Sequence, residues 1–153
     1  MTDIRVGVVD VFVIRITGKT WHVLALQRAA GTRSAGSWET VHGRIEEGET
    51  PAGAARRELR EETGLKAARL YSVTVNPFYL HQTGTVQLGV AFAAFVESAD
   101  VALGREHQAF EWLSVAEAGK RFTWPRESEA LVHIRKLFAA GNAGAVEDVL
   151  RMP

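Results

Sequence analysis

Apolar residues first gather between Ile4 and Ile16. The segment reads IRVGVVDVFVIRI, and its Val and Ile content predicts a long strand. Thr17-Gly18-Lys19-Thr20 has the composition of a tight turn. Trp21 to Gln27 (WHVLALQ) alternates apolar and polar positions and predicts the returning strand of a hairpin. Ala29 to Gly36 is small and polar, as in a loop. Trp38 to Ile45 predicts one short strand with Gly43 inside it. Thr50-Pro51 is a helix start, with Thr as cap and Pro at the first helical position, and Gly64 is the matching stop. Ala68 to Tyr79 and Thr85 to Val96 predict two further strands joined by His81-Gln82-Thr83-Gly84, and Ala109 to Leu113 a shorter one. Pro125 opens a second helix, whose Ala130, Leu131, Ile134, Leu137 and Phe138 keep one buried face. Gly141 to Gly144 breaks it, and Ala145 to Leu150 forms a short final turn. Two helices against a strand-dominated body predict the α+β class, built as an α/β/α sandwich.

Composition narrows the class. A chain of 153 residues fits one domain, taken as 1–153, and buries enough surface to fold without disulfides or metals. Lys+Arg and Asp+Glu are both 18, so bulk charge gives no reason to expect nucleic acid as a partner. The absence of Cys removes thiolate nucleophiles and thiolate metal sites. Asp3, Arg5 and Asp10 interrupt the first ten residues, so no secretory signal is expected there. No apolar run reaches the ~18 residues of a membrane span. The expected setting is cytoplasmic, with no membrane partner.

The stretch Gly43 to Leu65, GRIEEGETPAGAARRELREETGL, carries the chemistry. On a helical wheel Ala52, Ala55 and Leu59 fall on one arc, which predicts the core face. Glu58, Glu61 and Glu62 share the adjacent arc, within about a hundred degrees. Three carboxylates on one patch repel one another unless a positive charge sits among them. Arg57 is one source of that charge, and a divalent cation is the better one, because hard cations take several carboxylate oxygens. The plainer alternative is a solvated charged face, with Arg56, Arg57 and Arg60 as helical partners.

The flanking residues decide between them. Gly43, Glu49, Arg57-Glu58-Leu59, Glu61-Glu62 and Gly64-Leu65 stand at the spacing of the Nudix hydrolase signature, matched at every fixed position. A chance match over this length is on the order of one in ten million at average residue frequencies. The chain thus resembles a Nudix hydrolase, which implies an α/β/α sandwich with a mixed β-sheet and a signature loop–helix–loop. Leu26-Gln27-Arg28, Trp38 and Val41 to Glu49 resemble the members that act on nucleoside or dihydroneopterin triphosphates. Glu106, ahead of Trp112, resembles the position of a further metal-binding Glu in the family. Many relatives read Pro-Gly-Gly where this chain reads Val41-His42-Gly43.

The resemblance implies a pyrophosphohydrolase that cleaves a nucleotide or pterin phosphate with metal-activated water. It implies magnesium as the cofactor, with manganese as a substitute. The implied metal ligands are Glu58, Glu61, Glu62, Glu106 and the His42 carbonyl. The implied catalytic residues are Glu58, Arg57 and Glu61, with Arg57 orienting the carboxylates. Either Glu58 or Glu106 would be the base. Arg28 is the expected phosphate contact. Trp38, Phe78, Tyr79 and Trp124 are the expected walls for a base or pterin. The five histidines show no metal spacing and read as structural or surface residues. A homodimer is left open. Two other readings stand beside the enzyme: a non-catalytic nucleotide-binding regulator of the same fold, and an RNA 5′ pyrophosphohydrolase. The intact acidic residues argue against the first and the zero net charge against the second.

Overall fold

The first strand, β1 (Asp3–Thr17), is apolar on both faces, and such a strand needs a covering layer on each side. The computed structural model, which describes residues 1–153, supplies both layers. The order is β1, β2 (Thr20–Arg28), β3 (Trp38–Glu39), β4 (Val41–Arg44), α1 (Pro51–Thr63), β5 (Arg69–Leu80), β6 (Thr85–Phe95), β7 (His107–Leu113), α2 (Val115–Arg121) and α3 (Pro125–Leu137). A 3-10 turn (Gly144–Val146) and a short helix α4 (Glu147–Leu150) end the chain. The main sheet runs β3-β2-β1-β6-β5, with β4 on the middle of β1 and β7 on β2. β1 and β6 are parallel and the other pairs antiparallel, so the sheet is mixed. No helix is long and apolar enough to cross a membrane.

Alternation along β1 divides the core in two. Val9, Val11 and Val13, with Leu24 and Leu26, pack against Ala54, Ala55 and Leu59 of α1. Phe12 and Ile14, with Val23 and Ala25, pack against Ala130, Leu131, Ile134 and Phe138. This is the expected α/β/α sandwich. Ala52, Ala55 and Leu59, the expected core face of α1, all pack on the first of these clusters, and Ala54 joins them. Ala54 is fully buried, whereas Ala52 is half-buried at the margin of the cluster.

Two elements depart from the sequence reading. The strand expected over Trp38–Ile45 is two strands. β3 pairs with β2 and β4 with β1, so the chain crosses from one strand edge to the other at Thr40. Helix α2 was not expected, although Ser114 and Glu117 form a capping box: Glu117 N donates to Ser114 Oγ at 3.1 Å and Ser114 N to Glu117 Oε1 at 3.3 Å. Helix α1 begins and ends as expected. Gly53 N donates to Thr50 Oγ1 at 3.1 Å, and Gly64 leaves the helix at φ 72°.

Two substitutions test these assignments by urea unfolding. Leu59→Ala should lower stability by about 2–5 kcal/mol, since Leu59 is buried under α1. Ser114→Ala should cost about 1 kcal/mol, the usual value of a side-chain cap. A Leu59→Ala loss no larger than that of Ser114→Ala would contradict the packing of α1 on the sheet.

Candidate functional site

Arg57 organises the acidic face of α1, because it answers carboxylates on both sides of the signature loop. Nε and Nη2 donate to Glu49 Oε2 and Oε1 at 2.8 and 2.9 Å. Nη2 also donates to the Arg44 carbonyl at 2.8 Å. Nη1 donates to Glu58 Oε1 at 2.8 Å and Glu61 Oε2 at 3.2 Å. All five N–H groups of the guanidinium are thereby engaged. The Arg57 hydrogen bonds hold the Glu49 carboxyl down at about 2, and in turn raise the Arg57 guanidinium. Glu49 Oε1 also accepts from Glu46 N at 3.0 Å, so the loop is closed onto the helix.

Glu62 lies beyond the reach of Arg57. It is 5% exposed, and its Oε2 accepts from His42 N at 3.2 Å. Its Oε1 is buried with no partner. Burial first, then the charges of Glu58, Glu106 and Glu39, push its carboxyl up to about 10. Glu58 is raised by burial, against the pull of Arg57. Glu39, Glu58 and Glu106 thus all lie within electrostatic reach of Glu62. A buried carboxylate oxygen without a partner, among like charges, is the donor set that a hard cation neutralises. Gly43 serves the same group of carboxylates. A Cβ there would collide with the Glu58 carboxyl, so only glycine lets that side chain lie across β4. Ile45 N donates to the Gly7 carbonyl, and antiparallel alternation then turns both backbone groups of His42 away from β1, toward Glu62. In their present rotamers no three acidic or imidazole groups close into a cage, since Glu58 and Glu61 are turned onto Arg57.

Glu106 comes within that reach from the start of β7. The β2–β7 ladder pairs Gln27 with Ala109 but Arg28 with His107, so Gln108 is a bulge. The bulge turns His107 inward, where its ring is 0% exposed and Nε2 lies 2.8 Å from Glu39 Oε2. Glu39 also receives Arg28 Nη1 at 3.2 Å. Burial works to raise the Glu39 carboxyl, but His107 and Arg28 outweigh it and leave the carboxyl below its ordinary value. Arg28 donates from Nε to the Arg33 carbonyl, and its Nη1 lies 3.9 Å from Glu106 Oε2. Its side chain is 15% exposed, so contact with a phosphate requires these partners to be released.

The opposite face of the sheet holds the aromatic residues. Arg126, from the first turn of α3, stacks 5.3 Å from the Phe78 ring centre and 5.4 Å from that of Trp124. Its Nε donates to Asp10 Oδ2 at 3.1 Å, and Asp10 Oδ1 lies 2.6 Å from His42 Nδ1. Burial opposes ionisation of Asp10, yet His42 and Arg126 hold its carboxyl below the ordinary value. Beside it, Glu127 is fully buried, accepts from Thr40 N at 3.2 Å, and leaves Oε2 without a partner. Burial and the Asp10 charge raise Glu127 well above the ordinary range. Phe78 and Trp124 thus meet around Arg126. Trp38 stands apart, beneath Arg121 at 4.7 Å. Tyr79 follows Phe78 in an unbroken register, so it points to the other face and is 61% exposed.

Sequence reasoning did not single out Asp10, Glu39, Arg126 or Glu127. Asp10 had a signal: a lone acid within a Val/Ile strand needs a buried partner. Nothing local marks the other three, because their roles arise where β3, β4 and α3 meet.

The raised Glu62 carboxyl has a pH consequence. A group that keeps its proton to about 10 in the fold, but releases it near 4.5 when unfolded, favours the fold at low pH. That advantage falls as pH rises between the two values. In EDTA, the melting temperature should therefore drop between about pH 6 and 9, and Glu62→Gln should flatten the decline. Parallel pH profiles for the two proteins would contradict the burial described for Glu62.

A family description, NUDIX domain, matches residues 5–133. The octanoyltransferase of Myxococcus xanthus is 40% identical over 116 residues, 74% of this chain and 32% of that protein. The RNA pyrophosphohydrolase of Bartonella quintana is 38% identical over 73 residues, 46% of this chain and 42% of that protein. The chain thus spans less than half the length of these two relatives. The asymmetrical bis(5′-nucleosyl)-tetraphosphatase of Mus musculus is 30% identical over 111 residues, 68% of this chain and 71% of that protein. Among solved structures, a C. elegans Ap4A hydrolase binary complex superposes with TM-score 0.71 at 21% identity, covering 87% of this chain and 97% of that one. The E. coli dihydroneopterin triphosphate pyrophosphohydrolase does so with TM-score 0.68 at 22% identity, covering 88% and 95%. At these identities the structural likeness speaks to the fold alone. The family match runs from β1 into α3 and takes in the whole acidic helix, and by it the chain belongs to the Nudix family.

Proposed function

We propose that the chain is a divalent-metal-dependent pyrophosphohydrolase acting on a nucleoside di- or triphosphate or a pterin triphosphate. The observation that carries this reading is Glu62. Its buried, unpartnered oxygen sits among acidic neighbours beside a glycine that leaves room for Glu58. A merely solvated face would not bury a carboxyl in this way. The relatives support the same class, since the mouse protein is named a tetraphosphatase and the Bartonella protein a pyrophosphohydrolase. The acyl transfer in the name of the Myxococcus protein plays no part, because the chain spans only a third of that protein.

Magnesium, or manganese in its place, would be held by Glu58, Glu61, Glu62, Glu106 and the His42 carbonyl, and supplies charge neutralisation at the diphosphate and a more acidic bound water. The chain's own residues do the remaining work. Arg57 fixes Glu58 Oε1 and Glu61 Oε2 in direction. Its hold on Glu58 Oε1 leaves Oε2 as the open atom to receive a proton from the attacking water. Glu106 is the other candidate for that proton. Phe78 and Trp124 offer a stacking surface for a planar heterocycle, at the position where the Arg126 guanidinium is stacked. The whole chain is read as one such domain, 1–153, with a small-molecule phosphate as its partner.

Turnover of a panel of nucleoside and pterin triphosphates should vanish in EDTA and return with magnesium, with pyrophosphate and a monophosphate as products. Full turnover after metal stripping, or free base as first product, would overturn the reading. Glu58→Gln should lower kcat at least ~10²-fold with the metal-free melting temperature unchanged or slightly higher. Wild-type turnover in that variant would return Glu58 to the solvated surface.

A further inference from the structure

Glu106 is half-exposed on a loop, and a ligand on a mobile loop is of little use unless something fixes the loop. The structure shows what fixes it. Three contacts converge on the two residues at the start of β7. Ala29 N donates to the Glu106 carbonyl at 2.8 Å. His107 Nε2, fully buried, donates to Glu39 Oε2 at 2.8 Å. Arg28 Nη1 donates to the same Glu39 oxygen at 3.2 Å and reaches Glu106 Oε2 at 3.9 Å. The Gln108 bulge makes this arrangement necessary. One extra residue on β7 breaks the alternation, so His107 points into the protein beside Glu39 while Glu106 emerges toward Glu58 and Glu62. Gln108 pins the bulge, donating from Nε2 to Gln27 Oε1 at 3.2 Å and accepting from Ala30 N at 3.4 Å.

Glu39 is thus a shared anchor. It joins the consecutive strands β2 and β3 to the Glu106 loop, whose His107 lies 68 residues further along the chain. A buried imidazole whose other nitrogen, Nδ1, has no partner is a poor device for stability alone, since an apolar residue of the same volume would remove that unsatisfied atom. Its contact with Glu39 makes sense when direction is what it supplies.

We propose that His107, Glu39 and Arg28 form a positioning unit that aims the Glu106 carboxylate at the acidic face of α1, and so sets the affinity of the site for its divalent ion. The inference rests on the reading of Glu106 as a metal ligand. In this role the three are positioning residues rather than ligands of the ion. They act through the loop backbone and through Arg28 Nη1.

A double-mutant cycle on Mn2+ affinity, read from the free-Mn2+ electron paramagnetic resonance signal without substrate, tests it. His107→Phe keeps the volume and removes the donor. It should weaken Mn2+ binding about 10-fold or more, the usual cost of losing an outer partner of a metal site. His107→Gln, which keeps a donor near the position of Nε2, should recover most of that loss. In a Glu106→Gln background, His107→Phe should have little further effect, because the carboxylate it aims is gone. If His107→Phe does not fold, judged by its melting temperature in EDTA, the isosteric Glu39→Gln takes its place in the same cycle. Wild-type affinity in these variants would overturn the proposal. So would losses that add in full to that of Glu106→Gln, since Glu39 would then act by its charge alone. Wild-type affinity in Glu106→Gln itself would instead remove Glu106 from the metal site, and the positioning unit with it.

Discussion

The five donors of Arg57 are the constraint on which the site depends. The signature brings three glutamates onto one helical patch, and a fourth, Glu49, lies in the loop before it. Such a patch repels itself. Arg57 answers Glu49 with two parallel hydrogen bonds and Glu58 and Glu61 with a third nitrogen, and it closes the loop through the Arg44 carbonyl. Lysine could not do this, because an ammonium lacks the planar fork that meets a carboxylate in two places. Glu62 is the carboxylate that Arg57 leaves unanswered. Burial and the neighbouring acidic charges push its carboxyl well above the ordinary range, and in the proposed reading this is the site that gains from a cation.

The sheet gives this patch its surroundings. β1 is long enough to pair with β4 along its middle, at Val8–Val11, and with β2 along its end, at Ile14–Thr17. Between these partners the chain steps across at Thr40, and the two layers of the sandwich come within electrostatic reach of each other. Glu39, on the α1 side, feels His42 on the other; Glu127, under α3, binds the backbone of Thr40. One gap in strand pairing thus joins the acidic face of α1 to the aromatic face around Arg126, and the proposed function draws on both.

Much of this was legible in the sequence, and the limits are physical. Helix α1 was bounded to the residue, because Thr50, Pro51 and Gly64 act locally. The long strands were plain from their Val and Ile content. The acidic patch was visible because residues three and four apart on a helix must be neighbours. Other features depend on packing that no short window holds. The wheel placed Ala52, Ala55 and Leu59 inward, as they are, but did not mark Ala54, whose burial depends on how the helix seats on the sheet. The segment around Thr40 has one composition but two strand partners. Glu39 and His107 are 68 residues apart and meet only because a bulge reverses one side chain. Helix α2 is a different case: its capping box was present in the sequence, but seven residues give too little periodicity to reveal a helix.

A cation bound at the α1 face as proposed must displace the Glu62 proton, and calorimetric titration of the metal-free protein with Mn2+, in buffers of different ionisation heat, measures that exchange. The account predicts saturable binding that releases a proton and tightens as pH rises from about 6 to 8, since the buried carboxyl must ionise before it can bind. It also predicts that Glu62→Gln removes the proton release. Saturable binding with no proton released, or no binding at all, would contradict the account.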